Sequence, residues 1–571
     1  MEMMETISAL EKKIESFEAV VKSQQTRIDE QDALIKWYEE QLKLSKRKLF
    51  GSSSEQSPDQ LRFDNMFNEI EALADPSLPE PEYEEVTYKR AKRTGKRKDD
   101  LSGLQIKRID YELAESERGC PKCDETMLDI GVTIRDEIEI IPAQVIHVQH
   151  ATHAYGCPKC GKDSDSAQIT RADSPSPLIA ASLATPSAVA HIATQKYVNG
   201  MPLYRIEKDF SYDGVVLSRQ TMSNWLIHGA QTYLAAIYSL LIAFLLAEYV
   251  LHADETTVQV LHELGREAKT KSYEWVYRTG LRAGHKIVIY EYRETRGHEH
   301  PKAFLGAFKG YLHCDGHDAY HKLPPDIIVV GCWSHMRRYF ENLYDTIPRD
   351  KREGSNAERG LVYCNLLFAY EHEFRDLSPE ERYEKRLKFS KPVSDEFFEW
   401  AGSIQALPKS LLGKAVTYAT LQRKYLENIY LDGRLEISNN ACERAVKPFV
   451  QGRKLWLFSN TPNGAESSSI YYSIMETAKE NGLNPFQYMK FLLEKLPSAN
   501  YSELEELLPW SESLPDQCRV PEKESYKKTK KPMYSEKKGP LHDALQKLRR
   551  RFEMKTAAET EHIHETISAP N

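Results

Sequence analysis

A multidomain α/β protein is what this 571-residue sequence predicts, on three observations. A heptad repeat opens the chain. Two near-identical Cys-x-x-Cys knuckles follow it. Beyond them, short strand-forming runs alternate with helical stretches, and two of these runs carry an aspartate out of an apolar strand. The length allows about three to five domains. Hydrophobic residues make up 41%, enough for packed cores, so global disorder is excluded. A net charge of −8 excludes a uniformly basic DNA-coating protein.

Residues 1–50 are predicted to form a coiled coil. Ile7, Leu10, Ile14, Phe17, Val21, Gln24, Ile28, Gln31, Ile35, Tyr38 and Leu42 alternate spacings of three and four. No proline or glycine interrupts them before Gly51, so self-association is favoured over a lone packed helix. The first residues are acidic and amphipathic, unlike a signal peptide. Residues 51–105 turn from acidic to basic and read as a flexible linker. Its run 89–98 (KRAKRTGKRK), with Lys96, Arg97 and Lys98 at its end, suits phosphate neutralisation.

Residues 106–170 hold the metal signature. Cys120 and Cys123 form one knuckle, Cys157 and Cys160 the other, with strand-like sequence over 133–148 between them. Four thiolates suit one tetrahedral, structural Zn²⁺ with no open position, and the arrangement predicts a zinc ribbon. His147, His150 and His153 lack a knuckle and are expected to do ordinary packing or surface work. The five remaining cysteines are scattered, which points to a reducing compartment rather than a disulfide framework.

Residues 171–235 read as a helix-turn-helix. A short helix at 204–210 leads to a turn ending at Gly214, and Ser218 then caps a second helix. Arg219, Gln220 and Ser223 are its groove-facing candidates. The apolar run 234–247 would span roughly 21 Å as a helix, short of the ~30 Å hydrocarbon layer. It is expected to be a buried helix, not a membrane span.

Residues 236–340 and 431–480 are predicted to form two parts of a ribonuclease H-like core, separated by a helical insertion at 341–430. Three strands come first, then strand–helix units. In such a core the first strand, YVLHADETTVQ at 249–259, neighbours the later strand GYLHCDGHDAY at 310–320. Their aspartates, Asp254 and Asp315, would then share a site. A third carboxylate is expected on a helix capped by Ser438, where Glu443 is the candidate and Glu436 and Glu466 are rivals. An exposed ion pair with Lys447 explains Glu443 equally well at the level of the helix. A short helix is expected within 481–515, and a disordered basic tail at 516–571 with a possible helix over 541–552.

Two aspartates and one glutamate suffice to hold two Mg²⁺ (or Mn²⁺) ions, because Mg²⁺ prefers carboxylate oxygens and keeps several waters. Two such ions serve the attacking oxygen, the phosphorus and the leaving oxygen of phosphoryl transfer. The nucleophile is then water or a DNA 3′-hydroxyl.

These residues carry a resemblance. LFGSSSEQ after the heptad, the paired CPKC knuckles, HADETTVQVL, CDGHDAY, CWSHMRRYF, GRLEISNNACERAVKP and GRKLWLFSNTPNGAESSSIYYSIMETAKENGLNPFQYM are similar to blocks of bacterial insertion sequence 66 family transposases. The resemblance extends to about residue 510. It implies a DDE-type transposase with Asp254, Asp315 and Glu443 as catalytic triad and metal ligands. It assigns Cys332 and His335 to a Cys-x-x-His element that supports the active site. It also implies double-stranded DNA partners (element ends and target), small accessory proteins of the same element, and a cytoplasmic, nucleoid-associated location. Two departures stand out: serines replace arginines in LFGSSSEQ, and His313 and Cys314 replace more usual residues before Asp315. The competing readings are a catalytically inactive zinc-ribbon and helix-turn-helix regulator, and a nuclease that only hydrolyses.

Overall fold

The computed structural model describes residues 144–156, 169–171, 173, 176–521 and 540–568. The coiled coil, the basic linker with Lys96, Arg97 and Lys98, and Cys120, Cys123, Cys157 and Cys160 lie outside the described residues. Near the second knuckle, β1 (Ala154–Gly156) pairs antiparallel with β2 (Ile169–Arg171). The part of the expected 133–148 strand that is described, 144–148, is not strand. Val145, Ile146 and Val148 there are exposed, so among the described residues this stretch has no packed face to order it as a strand.

One five-stranded mixed sheet organises the described chain. Its strands are β3 (Val250–Gln259), β4 (Lys271–Thr279), β5 (Val288–Arg293), β6 (Gly310–His313) and β7 (Ile327–Val330), in the order β5-β4-β3-β6-β7. The first three form an antiparallel meander. After α5 (Glu299–Phe304), β6 and β7 are added parallel to β3. Glycine begins β6 because the strands meet closely there: a Cβ on Gly310 would lie 2.4 Å from the Tyr249 carbonyl oxygen.

Helices cover the sheet. Ahead of it come α1 (Pro186–Tyr197), α2 (Leu203–Tyr212) and α3 (Arg219–His228). A π-turn at Gly229–Leu234 joins α3 to α4 (Ala235–Ala247), making one continuous run into β3. That run of 29 residues is long and apolar enough to cross a bilayer by length and composition. Here Leu234, Ile237, Leu241 and Leu245 enter the core, while Ala236, Ser239, Ala243 and Ala247 are exposed. The expected buried helix is therefore buried along one stripe only. The boundary expected at residue 235 falls inside this run, and one apolar cluster joins α1–α4 to the sheet.

Downstream of β7, α6 (Trp333–Thr346), α7 (Asn356–Glu373), α8 (Pro379–Lys385), α9 (Lys391–Ser403) and α10 (Leu411–Leu426) build the helical insertion around a second core of Trp333, Phe340, Phe397 and Trp400. The chain then returns through α11 (Asn440–Trp456), α12 (Pro462–Glu480) and α13 (Pro485–Lys495). Helix α12 closes the sheet edge. Thr477 and Ser473, one turn apart, accept from the Val288 and Tyr290 N–H groups of β5 at 3.0 and 2.8 Å. An exposed edge strand is thereby satisfied by side chains.

The tail helix expected over 541–552 is present and longer: α14 runs over Pro540–Ser568, while residues 522–539 lie outside the described residues. Phe552 is buried, and Leu541 and Leu548 pack beside it on the insertion core. Arg549 bonds Glu373 at 2.7 and 3.0 Å, and Arg551 bonds Glu396. Leu541, Leu548 and Phe552 form one apolar stripe at helical spacing.

Candidate active site

Parallel pairing of β3 and β6 brings two aspartates together. Leu251 is opposite Leu312, and His252 is opposite His313. Asp254 and Asp315 each follow two residues after a member of that histidine pair, Asp254 still in β3 and Asp315 just past the end of β6. Equal offsets on neighbouring parallel strands carry both carboxylates to the same place. Gly316 lets helix α10 close over the Asp315 loop, since a Cβ there would meet Tyr418 at 3.0 Å.

Glu443 arrives from the first turn of α11. The residue before that helix is Asn439, not the expected Ser438, and its side chain does not cap the helix. It reaches across to β3 instead. Asn439 Nδ2 donates to the Ala253 carbonyl at 2.8 Å, so its Oδ1 is the acceptor for His252 Nδ1–H at 2.9 Å. Its backbone N–H donates to Cys332 Sγ at 3.2 Å. Asn439 is 1% exposed, so these bonds are made away from water. They fix the start of α11 to both β3 and α6.

Beneath the carboxylates, His252 and His313 stack with ring centroids 4.5 Å apart. Burial holds His252 down at about 3 and His313 well below its ordinary value, so both rings are neutral. His313 Nε2 accepts from the Glu436 N–H at 3.1 Å, which places its proton on Nδ1. Asn439→Ala removes partners from a buried ring and a buried carbonyl. It is expected to cost about 1–3 kcal/mol, read by urea melts. Destabilisation below about 0.5 kcal/mol would contradict the clamp.

Electrostatics mark the site. Burial first, then the charges of Glu255 and Asp315 and finally that of Glu443, push the Asp254 carboxyl up to about 8, against a hydrogen bond from the Glu255 N–H. Glu255 has its own partners: Arg296 Nε at 2.7 Å and the Tyr320 hydroxyl at 2.6 Å. Glu443 lies 3.6 Å from Arg338 Nη2 and 3.9 Å from His335 Nδ1. Burial opposes charge on His335, but the Cys332 sulfur and the Glu443 carboxylate hold its imidazole up at about 9. Asp254 and Asp315 have no such cation. Asp315 Oδ1 accepts from the His317 N–H at 2.9 Å, and no lysine or arginine pairs with either aspartate among the described residues. Neighbouring carboxylates without a direct ion pair, that of Asp254 desolvated by burial, fit a divalent cation of the Mg²⁺ or Mn²⁺ type.

Glu436 pairs with Arg382 at 3.4 Å, and Glu466 is exposed on α12. Glu443 makes no ion pair with Lys447. Cys332, His335 and Glu443 do meet: one ligand atom from each lies within 4.8 Å of the others. Ser218 caps α3, accepting from the Thr221 N–H at 3.1 Å. Arg219 and Gln220 are exposed on that helix and Ser223 partly so. The α2–α3 turn is closed by Glu207 Oε1, which accepts from the Arg219 N–H. No hydrogen bond among the described residues links this turn to the carboxylate site. The roles of Glu255, Arg296, His252, His313 and Asn439 escaped sequence reasoning. The repeated His-x-Asp of HAD and HCD was the available signal for the histidines.

Comparisons with known proteins agree along the chain. Residues 181–467 match the model of the Transposase IS66 family, and residues 473–510 match the IS66 C-terminal element. Residues 117–161 match the zinc-finger binding domain of transposase IS66, and residues 37–109 match a model described as Transposase C of IS166 homeodomain. The uncharacterized protein y4qI of Sinorhizobium fredii is 30% identical over 401 residues, covering 67% of this chain and 71% of its own length. A second uncharacterized protein of that organism, y4jD, is 26% identical over 426 residues, covering 71% and 80%. Among solved structures, the Drosophila P element transposase strand transfer complex matches with a TM-score of 0.31 at 12% identity, covering 51% of this chain and 92% of that one.

Proposed function

Since the chain belongs to the IS66 transposase family, we propose that it binds the ends of a bacterial insertion sequence and catalyses metal-dependent DNA strand cleavage and transfer by a DDE mechanism. The observation that carries this reading is the desolvated Asp254 carboxyl, lifted in part by the charges of Glu255, Asp315 and Glu443. In it, Asp254, Asp315 and Glu443 hold a pair of Mg²⁺ or Mn²⁺ ions. Such ions, when bound, activate the attacking oxygen and stabilise the leaving one. The chain's own part is placement. The β3–β6 pairing aligns the aspartates, Asn439 fixes the helix that carries Glu443, and Arg296 with Tyr320 holds Glu255 beside Asp254. An antiparallel meander followed by two parallel strands supports a ribonuclease H-like core, interrupted by the insertion.

The remaining modules bring DNA to this centre. Cys120, Cys123, Cys157 and Cys160 form a donor set suited to one structural Zn²⁺ in a zinc ribbon. Arg219, Gln220 and Ser223 enter a groove from α3, and Lys96, Arg97 and Lys98 neutralise phosphates. The coiled coil pairs copies of the chain, and accessory proteins of the same element assist. The enzyme works on cytoplasmic, nucleoid DNA.

The test is strand joining in vitro, with full-length protein, DNA bearing the element's own ends, and Mg²⁺ or Mn²⁺. Joined products are expected from wild type and none from Asp315→Ala or Glu443→Ala, with end binding kept in both. End binding with no cleavage by wild type, even with the accessory proteins added, would favour the inactive regulator. Joining that survives Glu443→Ala would remove it from the triad.

A further inference from the structure

A second cluster touches the carboxylate site from the side of the insertion. Cys332 precedes the first turn of α6 and His335 lies within it, so the Cys-x-x-His spacing puts both on one face. Glu443 comes from α11, more than one hundred residues away in sequence. The sulfur, one imidazole nitrogen and one carboxylate oxygen lie within 4.8 Å of one another. His335 Nδ1 and Glu443 Oε1 face each other at 3.9 Å. Both atoms are buried, and neither has a hydrogen-bond partner among the described residues. That separation is too long for a hydrogen bond. A tetrahedral ion with bonds of about 2.0–2.2 Å to nitrogen and oxygen sets such a pair about 3.4 Å apart, so a closing movement of about half an ångström brings both atoms onto one ion. Cys332 is wholly buried, and its Sγ already accepts the Asn439 N–H, the kind of outer contact that steadies a ligating thiolate.

From this geometry we infer that Cys332, His335 and Glu443 form a second metal site, selective for Zn²⁺ and overlapping the carboxylate site for Mg²⁺ at Glu443. Thiolate and imidazole donors select zinc and reject Mg²⁺, which takes oxygen ligands. Three protein ligands leave one position open for water. The site shares Glu443 with the proposed triad, so zinc bound here withdraws that carboxylate from the Mg²⁺ pair. Micromolar zinc then acts as an inhibitor of strand cleavage. This consequence rests on the reading of Glu443 as a catalytic carboxylate; the binding does not. Sequence alone offered only two ligands here, since nothing in the spacing connects Cys332 and His335 to Glu443.

The experiment compares the full-length wild type with Cys332→Ser and His335→Gln. Zinc bound per chain is counted after equilibration with Zn²⁺ and removal of free ion, and Co²⁺ is substituted as a spectroscopic probe of thiolate ligation. Wild type is expected to hold one more zinc than either variant. The zinc concentration that halves cleavage in Mg²⁺ is expected to rise at least tenfold in both variants, each referred to its own zinc-free rate. His335→Gln carries the test if the fully buried Cys332→Ser unfolds, because His335 lies at the partly exposed mouth of the cluster. Equal zinc counts in wild type and folded His335→Gln would overturn the site. An extra zinc in wild type with unchanged sensitivity would overturn the inhibitory role. Absence of any cleavage by wild type in Mg²⁺ alone would instead count against the transposase reading and leave the zinc count standing.

Discussion

Asp254→Asn is expected to abolish strand joining while raising the melting temperature of the metal-free protein at pH 8. The two effects have one cause. With no ion present, the Asp254 carboxyl is held up at about 8, first by burial and then by Glu255, Asp315 and Glu443. An unfolded chain titrates the same group near 3.9. The folded state therefore binds the extra proton between about pH 4 and pH 8. Stability linked to this proton is fully present below about pH 4, declines as pH rises, and is gone above about pH 8. Asparagine is neutral throughout and can still accept the Glu255 N–H that Asp254 Oδ1 accepts at 2.8 Å. Its advantage should thus grow with pH to the order of a few kcal/mol.

A divalent ion reverses the ranking, because it neutralises the carboxylate of the wild type and has little to hold in the variant. Removing an ionised metal ligand is expected to slow cleavage by about a thousandfold or more. Since the ligand must be ionised, the wild type's apparent Mg²⁺ affinity should rise as pH approaches 8. Melting curves in chelator and in Mg²⁺, at pH 5 and pH 8, check the stability half; joining assays check the other. A variant no more stable than wild type at pH 8 in chelator would refute the buried-charge account.

Glu371→Ala is expected to destabilise the protein by about 3–5 kcal/mol and to weaken the active site without touching it. Glu371 on α7 is buried and bonds both Arg382 (2.8 Å) and Arg386 (2.6 and 2.7 Å). Burial works against its charge, but the two guanidinium groups outweigh burial and hold its carboxyl below the usual range. Its contribution is thus present above the ordinary carboxylate range and is lost as the solution is acidified through the lowered value. The arginines in turn hold the segment that delivers α11. Arg386, 0% exposed, donates to the carbonyls of Ile429, Asp432 and Leu435, and Arg382 to the Gly433 carbonyl and the Glu436 carboxylate. Loss of Glu371 takes from Arg386 its carboxylate and leaves Arg382 with Glu436 alone, in low dielectric. The segment before Asn439 then loosens, and Glu443 with it. Urea melts and joining assays should fall together, with end binding kept. A cost under 1 kcal/mol would mean that water reaches the arginines.

Much of the fold was legible because local chemistry dictates it. Ser218 was readable as a helix cap, since a hydroxyl before an apolar-periodic run has one good use. The strands at β3, β4, β5, β6 and β7 announced themselves by apolar, β-favouring runs, and the aspartates by their exit from such runs. Other features were not written locally. Tail helix α14 was legible over 541–552, but that Phe552 docks it on the insertion core was not, and neither was its extension to Ser568. Ser438 and Asn439 are adjacent and both favour caps, and local sequence does not choose between them. The choice came from His252 and the Ala253 carbonyl across the core, which claimed the Asn439 side chain.

What the sequence determined by itself was the inventory: two aspartates at strand exits, a glutamate on a helix, a Cys-x-x-His turn, and the elements that carry them. Only the tertiary structure decided their company. It put Asp254 beside Asp315 through parallel pairing, gave Arg296 to Glu255 and Arg382 to Glu436, and set Glu443 against Cys332 and His335. Secondary structure is a short-range competition that a few neighbouring residues settle. The charge state and partners of a buried carboxylate depend on every group within a few ångströms, and the fold draws those groups from positions more than a hundred residues apart.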